Sequence, residues 1–181
     1  RKIFELNVRK RLLAALLRFG DELADDYTRA DRPALDLGNI PDSSKIFHTY
    51  SSSLHTVELK KNSENQRLEL NLSYEFSSTL AQEKFKKGNE EKYLLDEIYD
   101  RTLKMERERR YCMRFLRPCV SLDCINVEIF IQNDDNSMLY DKITYTLEEV
   151  GYPIYPRSGD IKDFQSDLRT GEEELEYLRS M

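Results

Sequence analysis

Acidic side chains near the end of an apolar helical segment are the first candidates for chemistry in this sequence. Asp21 follows Gly20 and lies on or beside the apolar stripe of the segment. A carboxylate in such a place is costly to bury unless a positive charge neutralises it. That charge is either an arginine, such as Arg18 three residues earlier, or a divalent metal ion. Asp25, one turn later on the same face, is either a surface acid or a contact to substrate.

The two histidines are the second group of candidates. His48 lies on a predicted short helix that could fold back over the end that carries Asp21, and we treat it as a candidate substrate contact. His55 stands at the start of a predicted strand, which is typical of a half-exposed structural histidine. Two histidines at this spacing do not form a metal site by themselves.

A basic run occupies residues 101–117. It contains seven arginines and lysines against two glutamates, a local excess of five positive charges. Arginine binds phosphate through paired hydrogen bonds, so Arg110 and Arg114 are candidate substrate contacts, to the phosphate of a nucleotide or of a nucleic acid. Tyr111 and Phe115 lie beside them and could stack on a base. The alternative is a solvated face whose cations pair with the acids that precede the run and with the acidic tail.

Composition excludes several classes of protein. Hydrophobic residues make up 39% of the chain, which is enough for a core, and the net charge of −6 disfavours nucleic acid as a partner. No apolar run approaches the roughly 18 residues that span a bilayer, so we expect no membrane partner. The three cysteines lack Cys-x-x-Cys spacing, which disfavours a zinc site, and their odd number favours a reducing, cytoplasmic location.

The N-terminal elements are predicted to be helical. Residues 3–27 have the periodicity of an amphipathic helix, and a loop and a short helix ending near residue 52 follow. Seven apolar side chains are expected on the buried stripe of the first helix: Val8, Leu12, Leu16, Phe19 and Leu23, with Leu13 and Leu17 widening it.

The remaining elements have the predicted order β-β-α-β-α. A hairpin with a loop at 62–65 joins a first strand to one spanning 68–76, a long helix covers 89–117 up to Pro118, and a third strand covers 123–132. Spacing favours a helix from 137 to 150, stopped by Gly151, and a short acidic helix at 171–180 closes the chain. The five residues expected on the inner face of the long helix are Leu94, Ile98, Met105, Cys112 and Leu116.

These patterns predict an α+β fold. A small, mostly antiparallel sheet covered on one face by two or more helices satisfies them.

One segment resembles a known family. The stretch at 11–30, reading RLLAALLRFGDELADDYTRA, resembles the closing helix of HD-domain metal-dependent phosphohydrolases. That helix reads roughly Leu-Leu-Arg-Leu-Ala-Asp-x-Leu-Asp, and its Asp after the small residue is the last metal ligand. The resemblance gives this role to Asp21 and implies a divalent ion (Mn, Mg or Fe) that polarises a phosphate and activates water. More weakly, residues 40–44 and 47–50 and the long helix resemble a region appended to such a domain.

The rest of the family signature is missing. No His-Asp pair occurs in the sequence, and both histidines follow Asp21, where the family does not place its ligands. We therefore expect that an upstream part of the same protein supplies the other ligands and that these residues alone are inactive. Residues 1–50 would end an HD-like all-α domain, and residues 51–181 would form the appended α+β domain. The resemblance implies a nucleotide or phosphate-ester substrate, for which the candidate contacts are Arg18, Asp25, His48, Arg110 and Arg114.

Two other functions stay open. The α+β body could be a non-catalytic regulatory or interaction module that binds a protein or a small ligand through a sheet edge or the arginine-rich helix. It could also connect an HD-like domain to another enzymatic domain such as an ATPase. A His-Asp pair encoded upstream would favour the phosphohydrolase over the module.

Overall fold

A mixed four-stranded sheet with helices on one face forms the body of the protein, which confirms the α+β prediction. The computed structural model describes residues 9–64, 67–117, 119–134, 139–148 and 160–180. The helices are α1 (Lys10–Leu23), α2 (Arg32–Asp36), α3 (Asp42–Ser53), α4 (Ser78–Gln82), α5 (Leu94–Leu116) and α6 (Gly171–Ser180), with 3-10 turns at Tyr27–Arg29 and Ile161–Asp163. The strands are β1 (Leu54–Lys61), β2 (Leu68–Ser77), β3 (Lys84–Lys87), β4 (Glu90–Tyr93), β5 (Leu122–Gln132) and β6 (Leu139–Glu148).

The large sheet has the strand order β1-β2-β5-β6. The β1–β2 hairpin is antiparallel, as predicted, and so is the β5–β6 pair. The central β2–β5 pair is parallel, with Leu72 opposite Val127, because α5 carries the chain back across the sheet between these strands. Apolar side chains alternate with polar ones along β2, so one face lies in the core and the other is polar and open.

α5 is the central helix of the fold. Acidic residues occupy its first turn and Arg114 its last, an arrangement that the helix dipole favours. All five residues predicted for its inner face are buried. On the sheet side, the hydroxyl groups of Thr102 and Tyr145 lie 2.8 Å apart, which ties α5 to β6. The predicted helix began at residue 89, but residues 90–93 form β4, which pairs with β3.

α1 packs on the side of α5 that faces away from the sheet. Asp25, just after α1, forms an ion pair with Arg101, and Glu22 lies 2.7 Å from the Lys104 ammonium. Arg18 binds Glu108 further along. In these three pairs the residue number on α1 decreases as the residue number on α5 increases. The two helices therefore run antiparallel.

The predicted stripe of α1 is partly wrong. Phe19 is buried, as predicted, and so is Ala15, while Leu12 and Leu23 pack against the core. Leu13, Leu16 and Leu17 are instead 47%, 45% and 67% exposed. The apolar residues of α1 extend around more of the helix than the surface of α5 can cover, so only one side is buried. Val8 lies outside the described residues.

The helix predicted for residues 137–150 is wrong, because residues 139–148 form β6. Ile143, Tyr145 and Leu147 alternate with exposed polar residues and point into the core. Leu139 and Ile143 are four residues apart, as are Ile143 and Leu147, and a spacing of four fits a strand as well as a helix. Val150, the Gly151 stop and Pro118 lie outside the described residues.

The C-terminal helix α6 is confirmed, and it docks on α5. The Gly171 N–H donates to Asp96 Oδ1 at 2.8 Å. Buried residues of α1, α3, α5 and the sheet belong to one core cluster, while the division into domains at residue 50 stays a prediction. None of the described helices is both long and apolar enough to cross a lipid bilayer.

Candidate functional site

Asp21 is exposed on the last turn of α1. Within the described part of the chain its carboxylate takes part in no side-chain hydrogen bond or ion pair, and Arg18 pairs with Glu108 instead. The neighbouring acids are all engaged, since Glu22 binds Lys104 and Asp26 accepts the Thr28 N–H at 2.9 Å. Asp21 is therefore the carboxylate at this end of α1 that is available to a ligand.

Asp25 joins three elements at the end of α1. It forms ion pairs with Arg101 of α5 and, at 3.8 Å, with Arg29, and it accepts a hydrogen bond from the Ser51 hydroxyl of α3 at 3.4 Å. The predicted substrate contact is thus held in a network of ion pairs, and that network joins the end of α1 to α5 and α3.

A buried carboxylate anchors the same network. Glu97 is 1% exposed and accepts hydrogen bonds from Lys87 at 2.6 Å, Lys92 at 3.1 Å and Arg101 at 3.0 Å. Burial raises the pKa of Glu97, but the hydrogen bonds from Lys87 and Arg101 outweigh burial and the pKa is lowered. Glu97 is therefore an ionised carboxylate that holds three cations in fixed positions.

An open cavity of about 510 Å³ lies over this network. Phe47 and Tyr50 of α3 line one side, and the Arg101 guanidinium lies 5.2 Å and 4.5 Å from their ring centroids. The Tyr50 side chain extends into the core, where its hydroxyl lies 3.0 Å from the Tyr74 hydroxyl. Burial raises the pKa of Tyr50 to about 12. Phe47 is 38% exposed, so the cavity offers an accessible aromatic surface beside cations.

Both histidines make their contacts outside this network. His48 is half-buried, and its Nδ1 accepts the Asp31 N–H at 3.3 Å. His55 is exposed and stacks on Tyr27, with ring centroids 6.3 Å apart. No side-chain hydrogen bond within the described residues links either histidine to Asp21.

The basic run divides into two sets. Arg110 donates to buried Glu106 at 2.6 Å and to the Glu148 carbonyl oxygen at 2.9 Å, so it fastens α5 to the end of β6. Arg109 also binds Glu106, inside the core. Arg114 is exposed on the outer face of α5. No side-chain hydrogen bond among the described residues joins any two of the six predicted site residues.

Asp21 suits a divalent ion as a single oxygen ligand, but it does not form a centre with its neighbours. No group of three or more His, Cys, Asp or Glu side chains that could hold a metal ion occurs in the described ranges. A catalytic metal needs more ligands than one carboxylate. The described residues therefore do not complete a metal centre.

Sequence reasoning missed Glu97, Lys87 and Lys92. Glu97 sits on the buried face of α5, one residue before Ile98, and an acid at a core position signals a buried ion pair. Its lysine partners come from the β3–β4 hairpin, which the patterns did not predict. The cavity could therefore not be predicted from the sequence, although Arg101 was recognised as part of the basic run.

Comparison with known proteins places the chain in one family. No curated protein and no solved structure matches it. The model of the HD-CE family matches residues 2–104, which is more than half of the chain and includes α1, Asp21 and the cavity residues up to Lys104. The chain thus belongs to the HD-CE family, an HD-related domain family.

Proposed function

We propose that this chain is part of an HD-type metal-dependent phosphohydrolase and that Asp21 is one of its metal ligands. Membership of the HD-CE family supports an HD-type domain. The resemblance of residues 11–30 to a closing helix with a terminal metal ligand supports the position of the site. A divalent ion bound there would polarise a phosphate and activate water.

The observation that carries this proposal is the difference between Asp21 and the other acids around it. Glu22, Asp25 and Asp26 each have a partner that fixes α1 or the turn after it. Asp21 has none in the described ranges, although negative charge near a helix C-terminus is mildly unfavourable. A carboxylate that does not serve the fold is available for binding.

The ion-pair network fixes the position of the end of α1, which carries Asp21. Arg101 binds both Asp25 and Glu97, and Glu97 is buried in α5. The end of α1 is therefore held against α5 and α3 while Asp21 projects from it. We propose that the remaining ligands lie outside these 181 residues, since the two histidines occupy other contacts.

We propose a nucleotide or another phosphate ester as substrate. Arg18 and Arg114 are exposed cations, and the cavity places Lys87, Arg101 and an exposed aromatic ring side by side. Phosphate binds to such cations, and an aromatic ring suits a base.

Calorimetric titration of Mn²⁺ into the longer protein that contains this chain tests the proposal. Asp21→Asn should bind the ion at least about tenfold more weakly, about 1.4 kcal/mol. Asp36→Asn is the matched control, because it removes the same charge from another exposed helix end and should bind like wild type. Equal binding by all three proteins would refute Asp21 as a ligand.

If the metal binds, release of inorganic phosphate from nucleotides and simple phosphate esters tests the reaction. We expect metal-dependent release that Asp21→Asn abolishes and Asp36→Asn preserves. Binding without hydrolysis of any phosphate ester would contradict the phosphohydrolase assignment but not the metal site.

A regulatory or interaction module is the second candidate, favoured by the open face of the sheet. A surface depression of about 1330 Å³ is lined there by polar side chains. Asn126 Nδ2 donates to Glu69 and to Asn71, both at 3.0 Å, and the Thr146 hydroxyl donates to Asn126 Oδ1 at 2.9 Å. Amide and hydroxyl groups fixed in this way suit a polar small ligand. Absence of a His-Asp pair from the longer protein would make this face the first place to search.

A further inference from the structure

The outer face of α5 is basic, although the protein as a whole carries a net charge of −6. Lys104, Arg107, Tyr111 and Arg114 are all exposed. Their spacing of three, four and three residues places them on one face of the helix. At 1.5 Å per residue this face runs for about 15 Å.

α1 extends the same surface from the side. The Arg18 guanidinium lies 4.7 Å from the ring centroid of Tyr111. Arg11 precedes Arg18 by two turns on the same side of α1 and is exposed. Because α1 and α5 are antiparallel, Arg11 lies towards the C-terminal half of α5, as Arg114 does. We call these side chains the basic surface: Arg11, Arg18, Lys104, Arg107, Tyr111 and Arg114.

Two of the acids next to the basic surface, Glu108 and Glu22, lie beneath its cations, while Asp21, three residues after Arg18, is exposed. Glu108 pairs with Arg18, and the two side chains are 15% and 54% exposed. Glu22 pairs with Lys104, at 19% and 60% exposed. These two carboxylates are thus mostly covered, and the cations face solvent.

Three arginines remain free of such partners. Arg11, Arg107 and Arg114 make no side-chain hydrogen bond or ion pair to any other described residue. With the two paired cations, their two carboxylates and the exposed Asp21 counted, this surface has a net charge of +2. An exposed guanidinium keeps its donors available for a phosphate, which it binds in bidentate fashion.

Tyr111 distinguishes this surface from a purely charged one. Its ring is 45% exposed, although it packs edge-on against Phe115 with centroids 5.8 Å apart. An exposed aromatic ring beside arginines combines stacking on a base with contacts to a phosphate backbone, the combination that single-stranded nucleic acids bind. An acidic polypeptide would satisfy the arginines but gives no role to the ring.

We propose that the basic surface binds single-stranded nucleic acid. Arg11, Arg107 and Arg114 contact successive phosphates, and a base stacks on Tyr111 or on the Arg18 guanidinium over it. The net charge of −6 for the whole chain does not indicate this surface, because its cations are concentrated on two helices. The proposal does not require the metal ion proposed at Asp21, although Arg18 and Arg114 are also proposed to bind the phosphate of the hydrolase substrate.

Fluorescence anisotropy of labelled mixed-sequence single-stranded DNA and RNA, titrated with the 181-residue chain, tests the proposal. Binding at about 50 mM salt should weaken as salt rises, with a log–log slope near −2, about 0.7 for each of three phosphates. The double variant Arg107→Ala/Arg114→Ala should bind at least about tenfold more weakly and lose roughly 1.4 from the slope. Lys60→Ala/Lys61→Ala removes the same charge from the exposed strand β1 and should bind like wild type.

Two further variants separate stacking from charge. Tyr111→Ala should weaken binding about tenfold with an unchanged salt slope, and Tyr111→Phe should restore it, because any aromatic face stacks on a base. No binding at low salt, or equal weakening in the Arg107/Arg114 and Lys60/Lys61 variants, would overturn the proposal. Competition by polyglutamate as strong as that by oligonucleotide, with no effect of Tyr111→Ala, would assign the surface to an acidic polypeptide instead.

Discussion

Arg109 binds Glu106 inside the protein, with Nε 2.6 Å and Nη2 2.8 Å from the two carboxylate oxygens. Both side chains are almost fully buried, at 2% and 0% exposure. Arg109 Nη1 also donates to the Leu122 carbonyl oxygen at 2.6 Å. The pair therefore fastens α5 to the start of β5, the strand that α5 leads into.

Replacing Arg109 by Met should destabilise the protein by about 3 kcal/mol, because it removes one of the two arginines that neutralise the buried Glu106 carboxylate. Urea unfolding followed by circular dichroism measures the loss. Arg110→Met is the control: it also removes an arginine from Glu106 but leaves the pair to Arg109, and should cost about 1 kcal/mol. Equal losses would show that the buried Arg109–Glu106 pair contributes no more to stability than the Arg110–Glu106 pair does.

The pH dependence of stability should contain a contribution from Glu97. Its pKa is lowered in the folded protein, so its stabilising effect is complete above the unfolded value near 4.5 and is lost as pH falls through the folded pKa. Urea unfolding from pH 7 down to pH 3 should show wild type losing stability faster than Glu97→Gln in the acid range. Parallel curves for the two proteins would contradict this prediction.

Two glycines should respond in opposite ways to alanine. A Cβ on Gly171 would clash with Tyr93 Cβ and lie 2.8 Å from Asp96 Oδ2, so Gly171→Ala should push α6 off α5 at a cost of about 2 kcal/mol. Gly20 lies within α1 with nothing within 4 Å of such a Cβ, and Gly20→Ala should stabilise the protein by about 0.5–1 kcal/mol. Thermal unfolding compares them. Hydrogen exchange in α6 should rise only in the Gly171 variant.

Asp21 and Asp25 should differ in their effect on stability. Asp25→Asn loses one of the two charge partners of Arg101 and should cost about 1 kcal/mol for a partly exposed pair. Asp21→Asn removes an unpaired charge near a helix C-terminus and should change stability by less than about 0.5 kcal/mol. Urea unfolding at neutral pH distinguishes them. A large loss for Asp21→Asn would mean that it serves the fold, contrary to the proposed function.

Sequence patterns predicted the elements with an unambiguous period. The alternation along β2 and β5 and the inner face of α5 are found as predicted, because each repeats one spacing over many residues. β6 was predicted as a helix because a spacing of four fits both periods. The parallel β2–β5 pair was missed because strand order depends on how α5 crosses the sheet, which no local pattern records.

The candidate site was harder to predict from the sequence than the fold. Asp21 was proposed from a local motif, and the structure adds that its neighbours are engaged while it has no partner among the described residues. The network around Glu97 depends on lysines from β3 and β4 and on Asp25, residues brought together by packing. The exposure of Tyr111 and Arg114 likewise depends on which side of α5 meets the sheet.

The parallel pairing of β2 with β5 joins strands from both halves of the chain in one sheet. The match to the HD-CE family ends at residue 104, in the middle of α5, before β5 begins. A polypeptide cut there would leave the inner edge of β2 without its neighbour and expose a row of unpaired backbone groups, which promotes aggregation. The matched residues therefore include only part of the sheet, and we expect proteolysis near residue 104 to be all-or-none rather than to release a stable N-terminal half.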